Sequence, residues 1–586
     1  MTYQTIPLAD FSQTFGSTTE LSSVALGGKI VSVSDEFFAE AHHLLHVEPA
    51  PSLKGQYGPN GALYSGWETR RHNPTYDWCI IKLGTTGTIV GFDIDTSHFN
   101  GNEAPEVSID ATLSSANDER KLRDVQWTEI LPRVPLGPYS RHLFKIPETS
   151  RFNHVRLNMY PDGGIARFRV YGNVAPVHPD IESEPFDLAH VFSGGRVVFT
   201  SDQHFGVGSN LILPGRGKDM GDGWETKRSR KKGHKDWVVL KLGAPGTLLT
   251  AEIDTAHFKG NFPESCEIHA LNTASDVPES DSPDWVTVLS RVRLGPHRQH
   301  FFQLETGPDE VFTHVKVTIY PDGGIKRVRI VGTKGKPMVG RSTTSTLQGI
   351  CTNGHVNGHI NGHLNGHPGG YMNGHTNGKP SMNGSSASFI AKTIPVLPLT
   401  PEAFAPYGQV IQAYGDHTAA PRGTKITPAN AGTASKFHKL ALLRQSYPET
   451  MGASTGLSVY RCSPVTVLNG KVELKVLERH PYTNQAFIPM GRSSFVEDEA
   501  LRDPGNTYLV IVALDGSDDK PDLSTLRAFI ASAGQGIMYD TAVWHQPMTV
   551  LHKPMDFTCV ETQIGNGDKA DCEILDLEDA IALQLP

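Results

Sequence analysis

The chain has 586 residues, with 53 Lys and Arg against 62 Asp and Glu and a net charge of −9. That length exceeds one hydrophobic core and asks for about three or four domains, and the acidic balance excludes a general surface for nucleic acid or an anionic membrane. The six cysteines, Cys79, Cys266, Cys351, Cys462, Cys559 and Cys572, form no CxxC pair, so no disulfide framework is expected.

The 58 glycines and 40 prolines point to many turns and so to a mainly β chain. No run of about 18 apolar residues is present to cross a membrane as a helix. The first residues carry no basic segment followed by an apolar run, and the last, IALQLP, are not a peroxisomal signal. A cytoplasmic protein is expected.

In chain order, the same phrases occur twice. LGGKIVSVSDEFF (26–38) returns as SGGRVVFTSDQHF (193–205), and GWETRRHNPTYDWCIIKLG (66–84) as GWETKRSRKKGHKDWVVLKLG (223–243). GFDIDTSHFNGNEAPE (91–106) returns as AEIDTAHFKGNFPE (251–264), LPRVPLGPYSRHLFKI (131–146) as LSRVRLGPHRQHFFQL (289–304), and HVRLNMYPDGGIARFRVYG (154–172) as HVKVTIYPDGGIKRVRIVG (314–332). The order never changes while the offset drifts, which marks an internal duplication with indels between blocks. Within each copy VVLKL, TAEID and VKVTIY alternate apolar and polar residues between Gly, Pro, Asn and Asp, the pattern of short strands and turns. Two tandem β-sandwich or jelly-roll modules are predicted, at 1–180 and 181–338. Trp67, Trp224, Trp78 and Trp237 are expected in their cores.

Residues 339–388 break the pattern. Asn-Gly-His recurs five times there, four of them at a four-residue period. The histidines invite a metal-binding reading, but Asn-Gly favours turns and sets no rigid ligand face, so a disordered linker is preferred. A further domain follows at 389–586. PEAF after Thr400 predicts a helix start, LSVYRC, VTVL, AFIPM, TYLVIVAL and IMYDTAVW read as strands, and LSTLRAFI (523–530) and the C-terminal EILDLEDAIALQL read as helices.

Several polar residues recur at matched places: Glu68 with Glu225, Asp95 with Asp254, His98 with His257, Arg133 with Arg291, His142 with His300, and Arg167 with Arg327. The segment D-T-x-H-F-x-G-N gathers an acid, a hydroxyl, an imidazole and an amide at the end of a strand, which suits a base or a metal ligand. A satisfied loop network would explain the same repetition. No phosphate loop, GxSxG elbow or HExxH motif is present.

The doubled G-W-E-T…D-W and D-T-x-H-F-x-G-N blocks, with L-G-P and Y-P-D-G-G, resemble the allantoicase family over nearly all of 20–335. That resemblance implies two jelly rolls that hydrolyse allantoate to ureidoglycolate and urea. LERHPYTNQAFIPM (477–490), DDKPDLSTLRAFI (518–530) and GIMYDTAVWHQPM (536–548), and more loosely NAGTASKFH (430–438), resemble ureidoglycolate lyases over about 392–575. Those are cupin-like β-barrels that split ureidoglycolate into glyoxylate and urea.

The first reaction needs a cation for the substrate carboxylate, and Arg133, Arg167, Arg291 and Arg327 are the candidates. Activation of water or assistance to departing urea falls to Glu68, His98, Glu225 or His257. In the second, Glu478, His480 and His545 are the acid–base candidates at a barrel mouth, with Lys436 and His438 for the carboxylate and Gln485 for the ureido group. No organic cofactor is needed. A divalent metal is compatible with either half but not readable, and Asp540 and Gln546, where histidines are expected by resemblance, argue against a His-rich site.

The chain therefore reads as a bifunctional enzyme of allantoin and purine degradation, acting on allantoate and ureidoglycolate, with no nucleic-acid or membrane partner. A homo-oligomer is expected. The alternatives are that only the hydrolase half is active, or that lectin-like jelly rolls and a cupin sensor bind a ligand without catalysis.

Overall fold

The structure is a computed structural model that describes residues 2–115, 119–122, 125–307, 309–335, 393–492 and 502–586. The described residues fall within one unit, Met1–Lys336 together with Thr393–Pro586. The expected linker, 339–388, lies outside the described residues. None of the described helices is long and apolar enough to cross a membrane.

Each repeat is organised by one 19-residue strand, Asp77–Asp95 in the first and Asp236–Asp254 in the second. Its first part pairs with Arg151–Tyr160 and Lys29–Val33, and its second part with Arg141–Lys145 and Arg167–Val174. One strand thus joins two packed layers. The second repeat repeats this pairing with Phe312–Tyr320, Arg196–Thr200, Gln299–Gln303 and Arg327–Lys334. Gly84 sits at the bend, where a Cβ would lie 2.5 Å from the Leu26 side chain. Only glycine lets the turn Val24–Leu26 pack so close.

Alternation decides what fills the cores. Cys79, Ile81, Leu83, Ile89, Phe92 and Ile94 fill one repeat with Trp67, and Val238, Leu240, Leu242, Leu248, Ala251 and Ile253 fill the other with Trp224. Trp78 and Trp237 are only half-buried, because each sits on the outer face of its strand.

In the C-terminal domain six strands close a ring in the order Pro521–Ser532, Thr393–Pro398, Glu573–Gln584, Lys471–Arg479, Trp544–His545 and Thr507–Asp515. A five-stranded sheet, Gly408–Ile411, Gly536–Tyr539, Gln485–Pro489, Met555–Gln563 and Ser454–Cys462, lies against it. Leu509, Ile511, Leu526 and Ala528 fill the ring, while Val510, Val512, Phe529 and Ala531 on the same two strands pack toward the second sheet with Phe487 and Phe557. Both faces are buried, which explains the continuous apolar run TYLVIVAL.

Two expected helices are strands. LSTLRAFI lies within Pro521–Ser532, and the C-terminal segment forms Glu573–Gln584. The first hides its two-residue period because Ala528, Phe529, Ile530 and Ala531 are apolar on both faces. In the second, Leu575 and Leu577 alternate, then Ile581 and Leu583, with a bulge opposite Leu474 and Val476 interrupting the phase. VTVL makes only isolated bridges beside it, at Pro464 and Leu468. The short helix Pro401–Phe404 forms where expected, with the Thr400 hydroxyl accepting the Ala403 N–H.

Candidate active sites in the repeats and the barrel

Most of the matched polar residues brace their own repeat, in the same way in both. The Trp67 Nε1–H donates to the Asp35 carbonyl at 2.8 Å, and that of Trp224 to Asp202 at 2.8 Å. The Asn102 amide donates to Glu68 at 3.0 Å, and that of Asn261 to Glu225 at 2.5 Å. His142 Nε2 accepts the Gly137 N–H at 3.1 Å and His300 Nε2 that of Gly295 at 2.7 Å, so this histidine pair braces a turn. Burial pushes His300 down to about 3, which keeps it neutral.

Four predicted arginines are already engaged. Arg133 pairs with Glu106 and lies over the Tyr160 ring at 4.4 Å, and Arg291 donates to the Ser265 hydroxyl at 2.7 Å over Tyr320 at 3.9 Å. Arg167 is buried and donates to the carbonyls of Glu48, Ser65 and Ala166 at 2.9, 3.0 and 2.7 Å and to the Ser65 hydroxyl at 3.2 Å. Arg327 donates to the carbonyls of Asp222 and Lys326, both at 2.7 Å. Burial lowers it to about 10. A two-toothed grip on a carboxylate from Arg167 would require releasing these carbonyls, whereas Arg327 keeps its Nε unpartnered among the described residues.

His98 and His257 both adopt left-handed backbone, at φ 71° and 69°, which places their rings at the strand end. His98 Nε2 donates to the Ala50 carbonyl at 2.9 Å, while the His257 backbone N–H donates to His297 Nδ1 at 2.7 Å. Burial, opposed by the Asn102 hydrogen bond and by Arg71, raises the Glu68 carboxyl above its ordinary range. No direct contact joins Glu68 to His98, or Glu225 to His257, among the described residues.

Sequence reading missed a cluster beside Arg167. The turn Ala41–Leu45 sets the rings of His42 and His43 4.2 Å apart, with His46 5.3 and 5.2 Å from them. Burial, with Arg167 adding to it, holds His43 and His46 below the ordinary histidine range.

In the barrel domain the three acid–base candidates come together. Glu478 pairs in register with His545, and Glu478, His480 and His545 each place a ligand atom within 4.8 Å of the others. They lie in the layer between the closed ring and the five-stranded sheet, rather than at the ring's mouth, because Leu477 and Trp544 take the ring-facing positions. His480 Nδ1 meets the Asp571 carbonyl at 2.6 Å and His545 Nδ1 the Val543 carbonyl at 2.9 Å. A carbonyl only accepts, so both Nδ1 atoms carry the proton and both Nε2 atoms present bare lone pairs. Both are buried without a partner among the described residues.

Two nitrogen lone pairs and a carboxylate facing one point are the donor set of a first-row divalent metal. They fit one without histidines at positions 540 and 546, whose Asp540 instead accepts from Gln409 at 3.0 Å. Gln485 donates to Glu561 at 2.6 Å on the same layer, with its own oxygen buried and unpartnered. Tyr539, which the sequence did not single out, stacks on His545 at 4.0 Å, and its hydroxyl is buried without a partner among the described residues. Lys436 and His438 lie on a separate hairpin, Ile426–Ala429 with Ala434–Phe437, where His438 meets the Thr427 hydroxyl at 2.8 Å. No contact joins them to the triad among the described residues.

Comparison with known proteins separates the same halves. The family model "Allantoicase repeat" matches residues 19–175 and 186–335, and the "Ureidoglycolate lyase" model matches 391–584. The probable allantoicase of Schizosaccharomyces pombe is 50% identical over 321 residues, covering 54% of this chain and 93% of that one. The allantoicase of Saccharomyces cerevisiae is 44% identical over 317 residues, covering 52% and 91%. The crystal structure of the Saccharomyces cerevisiae allantoicase aligns with a TM-score of 0.50 at 41% identity, covering 56% of this chain and all (100%) of that one.

Proposed function

The chain belongs to the allantoicase family, with two allantoicase repeats and a ureidoglycolate lyase domain behind them, and we propose that it performs both reactions in succession. The observation that carries this reading is the order of the domains in one chain: the first would form the compound that the second cleaves.

In the first reaction a water oxygen bonds to the carbon that bears the two ureido groups. The bond from that carbon to one ureido nitrogen breaks, the water gives up a proton to a base, and the departing nitrogen takes a proton as urea leaves. In the second, a base removes the hydroxyl proton of ureidoglycolate, the oxygen forms a carbonyl, the C–N bond breaks and urea leaves protonated. Glu478 is the base we assign for that step. Burial raises its pKa, so it holds a proton more readily than an exposed carboxylate. Gln485 offers its free oxygen to the ureido N–H groups. A divalent cation held by Glu478, His480 and His545 would supply a Lewis acid for a substrate oxygen.

The substrates are small molecules. We propose a cytoplasmic homo-oligomer. Purified chain given allantoate is expected to release urea and, faster than spontaneous breakdown allows, glyoxylate. Glu478→Gln should lower glyoxylate formation from ureidoglycolate by about 10²–10⁴-fold while conversion of allantoate to ureidoglycolate is unchanged. Loss of both activities would count against separate sites, and no urea from allantoate in the unaltered chain would return the repeats to ligand binding.

A further inference from the structure

Building on the hydrolase reading above, we infer that the first repeat alone holds an allantoate site, with His43 Nε2 facing the substrate as a base, while the matching groups of the second repeat are taken up by its own side chains and its neighbouring loop serves to dock the barrel domain.

The repeats themselves say what position 43 must do for the fold. His43 Nδ1 lies 3.2 Å from the Gly66 carbonyl, and at the matching place Asn210 donates its amide to the Gly223 carbonyl at 3.0 Å. The fold asks for one donor there, and asparagine meets that need. Histidine meets it with Nδ1–H and has a second nitrogen left over. That Nε2 is a bare acceptor in the neutral ring. The ring is half-buried, beside His46 and within reach of the Arg167 charge, which also feels Asp95 and Glu48. Asp95 accepts the Ser97 N–H at 2.7 Å and no side chain among the described contacts. The first repeat thus keeps an imidazole base, a free carboxylate and a cation together.

Each of these features is filled in the second repeat. Arg216 grips Asp254, the counterpart of Asp95, with two hydrogen bonds at 2.7 and 2.9 Å. Lys326 stands where the first repeat has Ala166, is fully buried, and contacts the Asp222 carboxylate and the Asp219 carbonyl. The imidazole of His43 is replaced by the amide of Asn210.

The D-T-A-H-F-K-G-N loop of the second repeat and the turn beside it also meet the barrel domain. Lys259 pairs with Asp416 at 2.8 Å, Arg422 lies over Phe262 at 5.4 Å, and the Glu402 carboxylate sits against Gly295 and 3.4 Å from Arg298. All three partners belong to the barrel domain. The equivalent loop of the first repeat makes no contact with the barrel domain among the described contacts, and its Phe99 lies under Tyr64 at 4.8 Å.

The test is His43→Asn in the full chain, because asparagine already makes this hydrogen bond in the second repeat. Urea release from allantoate should lose about 10²-fold or more in kcat with little change in KM, while the melting temperature and glyoxylate formation from added ureidoglycolate stay at their original values. Lys326→Ala, which installs the first repeat's residue, should leave urea release unchanged. A His43→Asn chain that keeps most of its kcat overturns the inference, as does a Lys326→Ala chain that folds but loses activity on allantoate. An unaltered chain that releases no urea from allantoate instead overturns the hydrolase reading on which the inference rests.

Discussion

At single residues, the two halves distribute their unsatisfied groups differently. In the repeats the buried arginines spend their donors on carbonyls, so reactivity is confined to the few side chains that structure does not consume. In the barrel domain the open valences are gathered in one layer. Tyr539 shows what this implies. Its ring packs on His545, and its buried hydroxyl has no partner among the described residues, an arrangement that costs stability. Burial also raises it well above the ordinary tyrosine range, so it remains a proton donor at any working pH. Tyr539→Phe is therefore expected to melt at the same or a higher temperature while kcat for ureidoglycolate falls about 10²-fold. A variant that loses stability and keeps its rate would show that the hydroxyl is structural. The sequence disclosed Glu478, His480 and His545 because they sit in two recognisable phrases. It did not disclose Tyr539 or Glu561, which join them only through strand alternation across the layer. His43 was hidden for another reason: the repeats were read for what they share, and His43 matters where they differ.

Among the elements, the strand Phe186–Asp187 ties the start of the second repeat to Arg327–Lys334. Asp187 accepts the backbone N–H groups of Ala189 and Ile330, both at 3.0 Å, yet burial outweighs these bonds and Arg329 and pushes its carboxyl up to about 6. The folded form thus binds this proton more tightly than the unfolded chain. Its contribution is fully present below the ordinary aspartate pKa of about 3.9 and is lost as pH rises through 6. Asp187→Asn keeps an acceptor without the charge, so the variant should gain about 2 kcal/mol at pH 8 relative to pH 4. Melting curves across that range would show it, and a pH dependence identical to the parent's would refute it. Strands that alternate apolar with polar residues were legible in the sequence, as VVLKL and VKVTIY illustrate. LSTLRAFI was not, because its apolar residues run on consecutively and show no two-residue period to read.

Over the whole molecule, the barrel domain is not merely tethered. Glu402 is buried against Arg298, Ala403 packs on the second repeat's core, and Arg527 reaches Glu305 at 3.4 Å. Cutting the intact chain at a protease site inserted within 340–388 should leave two pieces that co-elute from a sizing column. With Ala403→Arg they should separate, and separation of the unaltered pieces would mean that the docking is too weak to matter. Docking also makes the thermal resistance of the two catalytic units a shared quantity. A small molecule that binds only the barrel, at a hundred times its dissociation constant, adds about 2.7 kcal/mol to that domain's folded state. Whatever part of this the buried Glu402 contact transmits will appear as later melting of two repeats that the molecule never touches.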